Sequence, residues 1–276
     1  MAGRFCFRLA RTHIPAVGLA AWNKQTIKAY EILGSALDPA AQVTNTVLTV
    51  KELLTPLSRE ELKVVRCLGL NYSDHAAETK MAKPAAPILF YKPLSSMIGP
   101  NAPISVPMVA QPVEVHLSDY EVELTIVIGK TAKNVSEAEA LDYVLGYTAA
   151  NDVSFRKHQM MTSQWGFSKG FDNTTPIGPC IVSNNAIPDP QLLPLTCTLN
   201  GKTLRTVTPN HSPSFPKPPL SNPARSSSPG PPPALGLRGS PAIVLKHGDD
   251  CRVWIGHGIG TLVNPVAEEG KRTAKL

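Results

Sequence analysis

The chain has 276 residues, 42% of them hydrophobic and 17% charged, with a formal net charge of +6 at pH 7. That length suits one large domain or a domain with an added segment, and no apolar run reaches the roughly 18–20 residues that would span a membrane. Five scattered cysteines (Cys6, Cys67, Cys180, Cys197 and Cys251), with no C-x-x-C pair, argue for a reducing compartment and against a disulfide frame or a zinc site.

The positive charge is peripheral. Residues 1–30 hold five basic residues and no acid, and residues 191–248 hold six basic residues and no acid. Of the 27 basic residues these stretches take eleven, leaving 16 against all 21 acids. The folded body is therefore acidic, which argues against nucleic acid as a partner.

Arg4, Arg8 and Arg11, spaced by apolar residues, match either a mitochondrial presequence or an N-terminal extension without a defined role. The extension reading leaves the protein cytoplasmic, with a mitochondrial location as the alternative. Ile27–Leu33 reads as a short helix or strand. Thr49–Leu54 reads as a strand running into a helix. Leu62–Leu70 is a buried-strand candidate that runs into Asn71-Tyr72-Ser73-Asp74-His75-Ala76-Ala77-Glu78. Asn71 or Ser73 can cap a helix there, placing His75 and Glu78 one turn apart on one face. A carboxylate in that position can orient an imidazole; a surface His–Glu pair has the same spacing. Pro87–Pro93 is a short strand with Lys92 at its tip, either solvated or facing a substrate anion.

Residues 119–130 organise the rest. Val122, Leu124, Ile126 and Ile128 alternate with their neighbours, the period of a half-buried strand. That period puts Glu121 and Glu123 side by side on the other face, their carboxylates roughly 6–7 Å apart. Such a pair is either half of a hard-cation site or two surface acids on a solvated face.

Ser136–Glu139 has the form of a capping box that opens a helix over Ser136–Leu145. Gly146–Ser154 is another strand, with Asp152 near its end either as a functional acid or as a cap for Ser154–Met161. Arg156, Gln159 and Lys169, the last beside Gly170, read by spacing alone as solvated polar residues. Thr175–Pro179 reads as a turn into Cys180–Val182. Leu195–Leu199, Asn200-Gly201 and Lys202–Leu204 form a hairpin by the Asn-Gly signal. Residues 206–242 then hold eleven of the 27 prolines among Ser, Gly and Arg, a linker composition expected to build neither strand nor helix. Order resumes at Ala242–Leu245, the turn Lys246–Asp250, the strand Cys251–Ile255 and the segment Gly258–Val263.

Several of these stretches, in this order, resemble the fumarylacetoacetate hydrolase family. They are Gly69-Leu70-Asn71-Tyr72 with His75 and Glu78, Phe90-Tyr91-Lys92-Pro93, Asp119-Tyr120-Glu121-Val122-Glu123-Leu124, and Asn151-Asp152-Val153-Ser154 with Arg156 and Gln159. Lys169-Gly170-Phe171-Asp172, Pro176-Ile177-Gly178-Pro179 and Gly258-Ile259-Gly260-Thr261 complete the series. The match covers roughly residues 61–205 and 243–266.

The resemblance implies an α+β fold, a mixed β-roll or β-sandwich with flanking helices, in a homodimer. Residues 61–276 would be the catalytic domain and 1–60 an N-terminal segment poorly matched at its start. It implies Mg²⁺, or Mn²⁺ or Ca²⁺, on Glu121, Glu123 and Asp152. It also implies catalytic roles for His75, Glu78 and Lys169, with Arg156, Gln159 and Lys92 binding substrate. The expected reaction is C–C cleavage in a small 2-oxo or 1,3-diketo acid, by hydrolysis of an acylpyruvate or decarboxylation of an oxaloacetate-like acid.

One departure stands out. The family carries a Gly-Thr-Pro loop beside its active site where this chain has the proline-rich stretch, and Pro231–Gly236 is a distorted echo of that loop. The abrupt change suggests an out-of-frame or mis-spliced segment there and in the first 30 residues, a reading that sequencing the transcript tests. A second expectation follows: a family member that binds metal or partners without turnover.

Overall fold

The structure, a computed structural model, describes residues 6–9, 17–35, 37–38, 40–69, 88–207, 226–228 and 243–271. Its architecture is a mixed β fold with short helices. A seven-stranded sheet runs in the order Ile88–Lys92, Val65–Gly69, Ser226–Ser228, Val122–Ile128, Val144–Asn151, Thr175–Ser183, Met97–Ile98. A five-stranded sheet runs Lys202–Val207, Leu195–Leu199, Asp250–Ile255, Gly260–Glu268, Ile104–Val106. Most neighbours are antiparallel; Thr175–Ser183 with Met97–Ile98, Ser226–Ser228 with Val65–Gly69, and Gly260–Glu268 with Ile104–Val106 are parallel.

Val122–Ile128 is the hinge of the packing, and both its faces are buried. Val122, Leu124 and Ile128 enter one apolar core with Ile104, Val253 and Leu262. Val127, on the opposite face, enters a second core with Val65, Cys67, Phe90 and Met97. The half-buried strand, and with it the reading of the two glutamates as surface acids on a solvated face, is therefore corrected: apolar clusters bury the strand on both faces, and Glu121 and Glu123 are each 1% exposed.

Other local expectations change for identifiable reasons. Ser136 Oγ does donate to Glu139, but the chain forms only a 3₁₀ turn over Ala140–Tyr143, because Val144 already pairs with Ile128. Thr175–Pro179 is not a turn but the first half of a strand paired with both Val144–Asn151 and Met97–Ile98. Ile27–Leu33 is a strand, paired with Gln42–Val50, and no helix follows at residues 51–55. The Asn200-Gly201 hairpin forms as expected, with both residues at positive φ (51° and 77°).

The proline-rich stretch brings a correction as well. Ser226–Ser228 is a strand of the seven-stranded sheet, between Val65–Cys67 and Ile126–Val127. The first 30 residues also contribute to the fold. The helix Val17–Trp22 lies against Gly260–Glu268 so closely that a Cβ on Gly18 would fall 1.7 Å from Thr261 O. Among the described residues, no helix is long and apolar enough to cross a membrane.

Candidate active site

Four chain segments deliver charged side chains to one buried place beside Val122–Ile128. The two-stranded ladder Ser118–Asp119 with Ser154–Phe155 pins the entry and exit of the site, with Asp119 opposite Ser154. Asp119, Glu121 and Glu123 alternate along the first segment. Asp152 directly follows the strand Val144–Asn151, Arg156 opens the helix Arg156–Met161, Lys169 ends the helix Gly166–Lys169, and Lys92 ends the strand Ile88–Lys92. All are buried, Lys169 completely.

Their contacts form a closed set. Lys169 Nζ donates to Glu121 Oε2 and Asp152 Oδ2, each at 2.8 Å, and to Ser154 Oγ at 2.6 Å, which uses all three ammonium protons. Lys92 Nζ donates to Asp152 Oδ1 at 2.5 Å. Arg156 donates Nε and Nη2 to Asp119 Oδ2 at 2.9 and 2.8 Å, Nη2 also to Glu121 Oε1, and Nη1 to Gln159 Oε1 at 2.8 Å. The expectation that Lys92, Arg156 and Lys169 are solvated is thus corrected, and Asp152 binds two lysines rather than capping a helix. Burial of this kind is set by what the sheets bring together and leaves no mark on local spacing.

The electrostatics follow. Burial works against ionisation of Asp152, yet Lys169 and Lys92 hold its carboxyl at about 2. Burial opposes the charge on Lys169, but Asp152 and Glu121 raise its pKa. Burial likewise opposes Arg156, and Glu121 and Asp119 raise it. Burial pushes Glu121 up, opposed by Arg156 and Lys169, each of which bonds one of its oxygens.

Three cations thus face three paired carboxylates, Asp119, Glu121 and Asp152. Glu123 is left over. Both of its oxygens are buried and, among the described residues, accept no hydrogen bond, and burial, followed by Glu121 and Asp152, pushes its carboxyl well above the usual range. An unpartnered buried carboxylate costs several kcal/mol unless a cation meets it. The donors here are all carboxylate oxygens, which suit a hard divalent cation. Among the described residues no three His, Cys, Asp or Glu side chains already converge as a ligand set, because Glu121 and Asp152 are turned onto Lys169. The donor chemistry and the orphaned Glu123 fit a cation.

Of the residues expected from the sequence, the structure brings together Glu121, Glu123, Asp152, Lys92, Lys169, Arg156 and Gln159. His75 and Glu78 lie outside the described residues, as does most of 206–242. Sequence reasoning did not single out Asp119 and Ser154. Asp119 carried a signal, since it extends the alternation of Glu121 and Glu123 by one step. Ser154 carried none; its role comes from its place opposite Asp119.

The fold and the site define a mixed-sheet protein with a buried, carboxylate-rich centre. Residues 64–213 match the family model described as fumarylacetoacetate (FAA) hydrolase, C-terminal. The chain is 51% identical over 259 residues to a caffeoylpyruvate hydrolase of Neonothopanus nambi, covering 92% of this chain and 85% of that protein. It is 38% identical over 224 residues to a mitochondrial oxaloacetate tautomerase of Xenopus laevis, covering 78% of this chain and 68% of that one. Among solved structures, a 2-hydroxyhepta-2,4-diene-1,7-dioate isomerase from Mycobacterium marinum is similar with a TM-score of 0.72 and 31% identity, over 91% of this chain and 92% of that chain. A maleylpyruvate hydrolase from Sphingobium sp. SYK-6, solved with manganese (II) and pyruvate, shares the fold, with a TM-score of 0.60 and 22% identity over 83% of this chain and 77% of that one. The chain belongs to the fumarylacetoacetate hydrolase family.

Proposed function

We propose that the chain hydrolyses the C–C bond of a small acylpyruvate, with a divalent cation such as Mg²⁺ or Mn²⁺ held by Glu121, Glu123 and Asp152. The observation that carries this reading is the buried Glu123 carboxylate, unpartnered among the described residues and beside two carboxylates already balanced by cations. The 51% identity to a caffeoylpyruvate hydrolase supports the acylpyruvate class and an aromatic acyl group within it.

When bound, the cation supplies Lewis-acid stabilisation of the negative charge that develops on the keto oxygen. The chain's own residues have separate tasks. Lys169, held cationic by Asp152 and Glu121, places a positive charge beside the oxygen that gains charge. Lys92 keeps Asp152 in its ligand form. Gln159 spends its carbonyl on Arg156, which leaves its amide N–H groups to orient the substrate carboxylate. His75, oriented by Glu78, takes a proton from water as its oxygen adds to the acyl carbonyl. The C–C bond then breaks, the acid leaves with the water oxygen, and the pyruvate carbanion collects a proton.

A second reading, binding without turnover, is favoured by the proline-rich composition of 206–242, where the family carries an active-site loop. One experiment separates the two. Chelated protein is supplied with Mg²⁺ or Mn²⁺ and assayed on aromatic and aliphatic acylpyruvates and on oxaloacetate, with Glu121→Ala as control. Metal-dependent release of pyruvate, absent in Glu121→Ala, is expected. Metal binding without turnover on any substrate would leave the second reading; CO₂ release from oxaloacetate, or its enol–keto exchange alone, would reassign the reaction. A homodimer is the expected assembly, and sedimentation velocity tests it.

A further inference from the structure

We propose that Asp119 is a positioning residue of this site: it aims the Arg156 guanidinium and so fixes Glu121 and Gln159. The proposal rests on the divalent-cation reading above and names a residue that the reading does not use.

Asp119 is 1% exposed, and its carboxylate is occupied on both oxygens. Oδ1 accepts the Tyr120 N–H at 2.9 Å, and Oδ2 accepts Arg156 Nε and Nη2 at 2.9 and 2.8 Å. The backbone around it is held from three sides. Asp119 pairs with Ser154, Arg156 N–H donates to Leu117 O at 3.1 Å, and Ser118 exchanges hydrogen bonds with Leu245 through Oγ (3.0 Å) and its carbonyl (2.9 Å). Asp119 is therefore a fixed anion rather than an adaptable one.

What it fixes is the plane of the guanidinium. With Nε and one edge of Nη2 directed at Asp119, the other Nη2 proton meets Glu121 Oε1, and Nη1 meets Gln159 Oε1 at 2.8 Å. Glu121 then has one oxygen on Arg156 and the other on Lys169, so its carboxylate plane is set from both ends. A planar fork is needed for this; a lysine at 156 could hold one anion but not orient three groups. Asp119 also supplies the charge that keeps Arg156 from drawing on Glu121 alone. Outer residues of this kind typically change metal affinity or activity 10–100-fold when removed.

The test is a double-mutant cycle of Asp119→Asn and Arg156→Gln, read first by Mn²⁺ affinity in calorimetry and then by kcat and KM. Asp119→Asn, nearly isosteric, is expected to weaken Mn²⁺ binding by about tenfold, and to cost less than about twofold further in the Arg156→Gln background. Arg156→Lys should reproduce the loss while keeping the charge. Unchanged affinity in Asp119→Asn overturns the proposal, and so does an equal loss in both backgrounds, since Asp119 would then act apart from Arg156. A metal-independent arm follows the Arg156 Nε–H resonance by NMR, identified by its absence in Arg156→Gln. In wild type it exchanges slowly; in Asp119→Asn it shifts and exchanges faster, and an unmoved signal overturns the proposal. Should wild type bind no Mn²⁺, the cation reading fails while this resonance still decides the role of Asp119. Should Mn²⁺ bind without turnover, only the hydrolase reading fails.

Discussion

Lys92 Nζ lies 2.5 Å from Asp152 Oδ1, across 60 residues of chain and with both side chains withdrawn from solvent. The other Asp152 oxygen accepts from Lys169. Removing one partner from such a set leaves charge without compensation in a low-dielectric place. Lys92→Met is expected to destabilise the fold by about 3 kcal/mol, near the lower end for broken buried pairs because Lys169 remains. The sign of the acid response follows from Asp152, whose carboxyl falls from an ordinary 3.8 to about 2. Its contribution is present above pH 3.8 and is lost as pH falls towards 2. Urea midpoints measured across that interval should fall more steeply for wild type than for Lys92→Met, and parallel curves would refute the pairing.

Glu123 has the opposite sign. Burial and two neighbouring carboxylates push its carboxyl up, so its ionised form costs stability above the ordinary carboxyl range, around pH 4.5. Glu123→Gln is therefore expected to stabilise the chelated protein at neutral pH by about 1–3 kcal/mol, each kcal/mol raising the melting temperature by roughly 2–4 °C. The same substitution should abolish the rise in melting temperature that Mn²⁺ gives wild type. Thermal scans of both proteins in chelator and in Mn²⁺ test this. A variant that melts below wild type in chelator would show that Glu123 is satisfied within the fold.

Gly146 is a position where backbone packs on backbone. A Cβ there would lie 2.2 Å from Val182 O and 2.9 Å from the carbonyl carbon of Val182, neither of which can swing aside. The contact falls beside the register shift that Tyr147 and Ala149 make against Thr175–Ser183. Gly146→Ala is expected to cost about 2–3 kcal/mol in urea unfolding, as overpacking does elsewhere. Because this strand leads into Asp152, Mn²⁺ affinity should fall with it; an unchanged midpoint would refute the close approach.

Part of this site was legible in the sequence, and part was not. The alternation from Val122 to Ile128 placed Glu121 and Glu123 together without knowledge of the fold, and the resemblance added Asp152, Lys169, Arg156 and Gln159. Burial was not legible. Lys92, Arg156 and Lys169 look like surface residues by spacing, and they are buried because three carboxylates, Asp119, Glu121 and Asp152, neutralise them. Asp119 repeats the period of the two glutamates, but its partner Arg156 is 37 residues away. The strand Ser226–Ser228 escaped a reading based on composition, because sheet pairing uses backbone groups that serine supplies as well as valine. Only proline lacks the donor, and none falls between Arg225 and Pro229.

His158 stands on the same short helix as Arg156 and Gln159 but packs away from them. Its ring stacks on His116 with centroids 5.0 Å apart and meets the edges of Phe167 and Phe171 at 5.0 and 5.8 Å. Neither Nδ1 has a hydrogen-bond partner among the described residues. Burial pushes both imidazoles down from 6.5, with Lys157 adding to each and His158 adding to His116. A base lowered on folding binds its proton more readily when unfolded, so stability is full above pH 6.5 and falls as pH drops below it. Urea midpoints should therefore decline below pH 6.5, well before the carboxylates titrate. His158→Leu should flatten that decline, because one of the two protonations is removed and an apolar side chain suits the phenylalanines around it. The helix that loosens also carries Arg156 and Gln159, so KM for an acylpyruvate should rise over the same interval in wild type more than in the variant. A flat stability profile from pH 7 to 5 in wild type would show that the imidazoles reach water and that this helix does not sense acid.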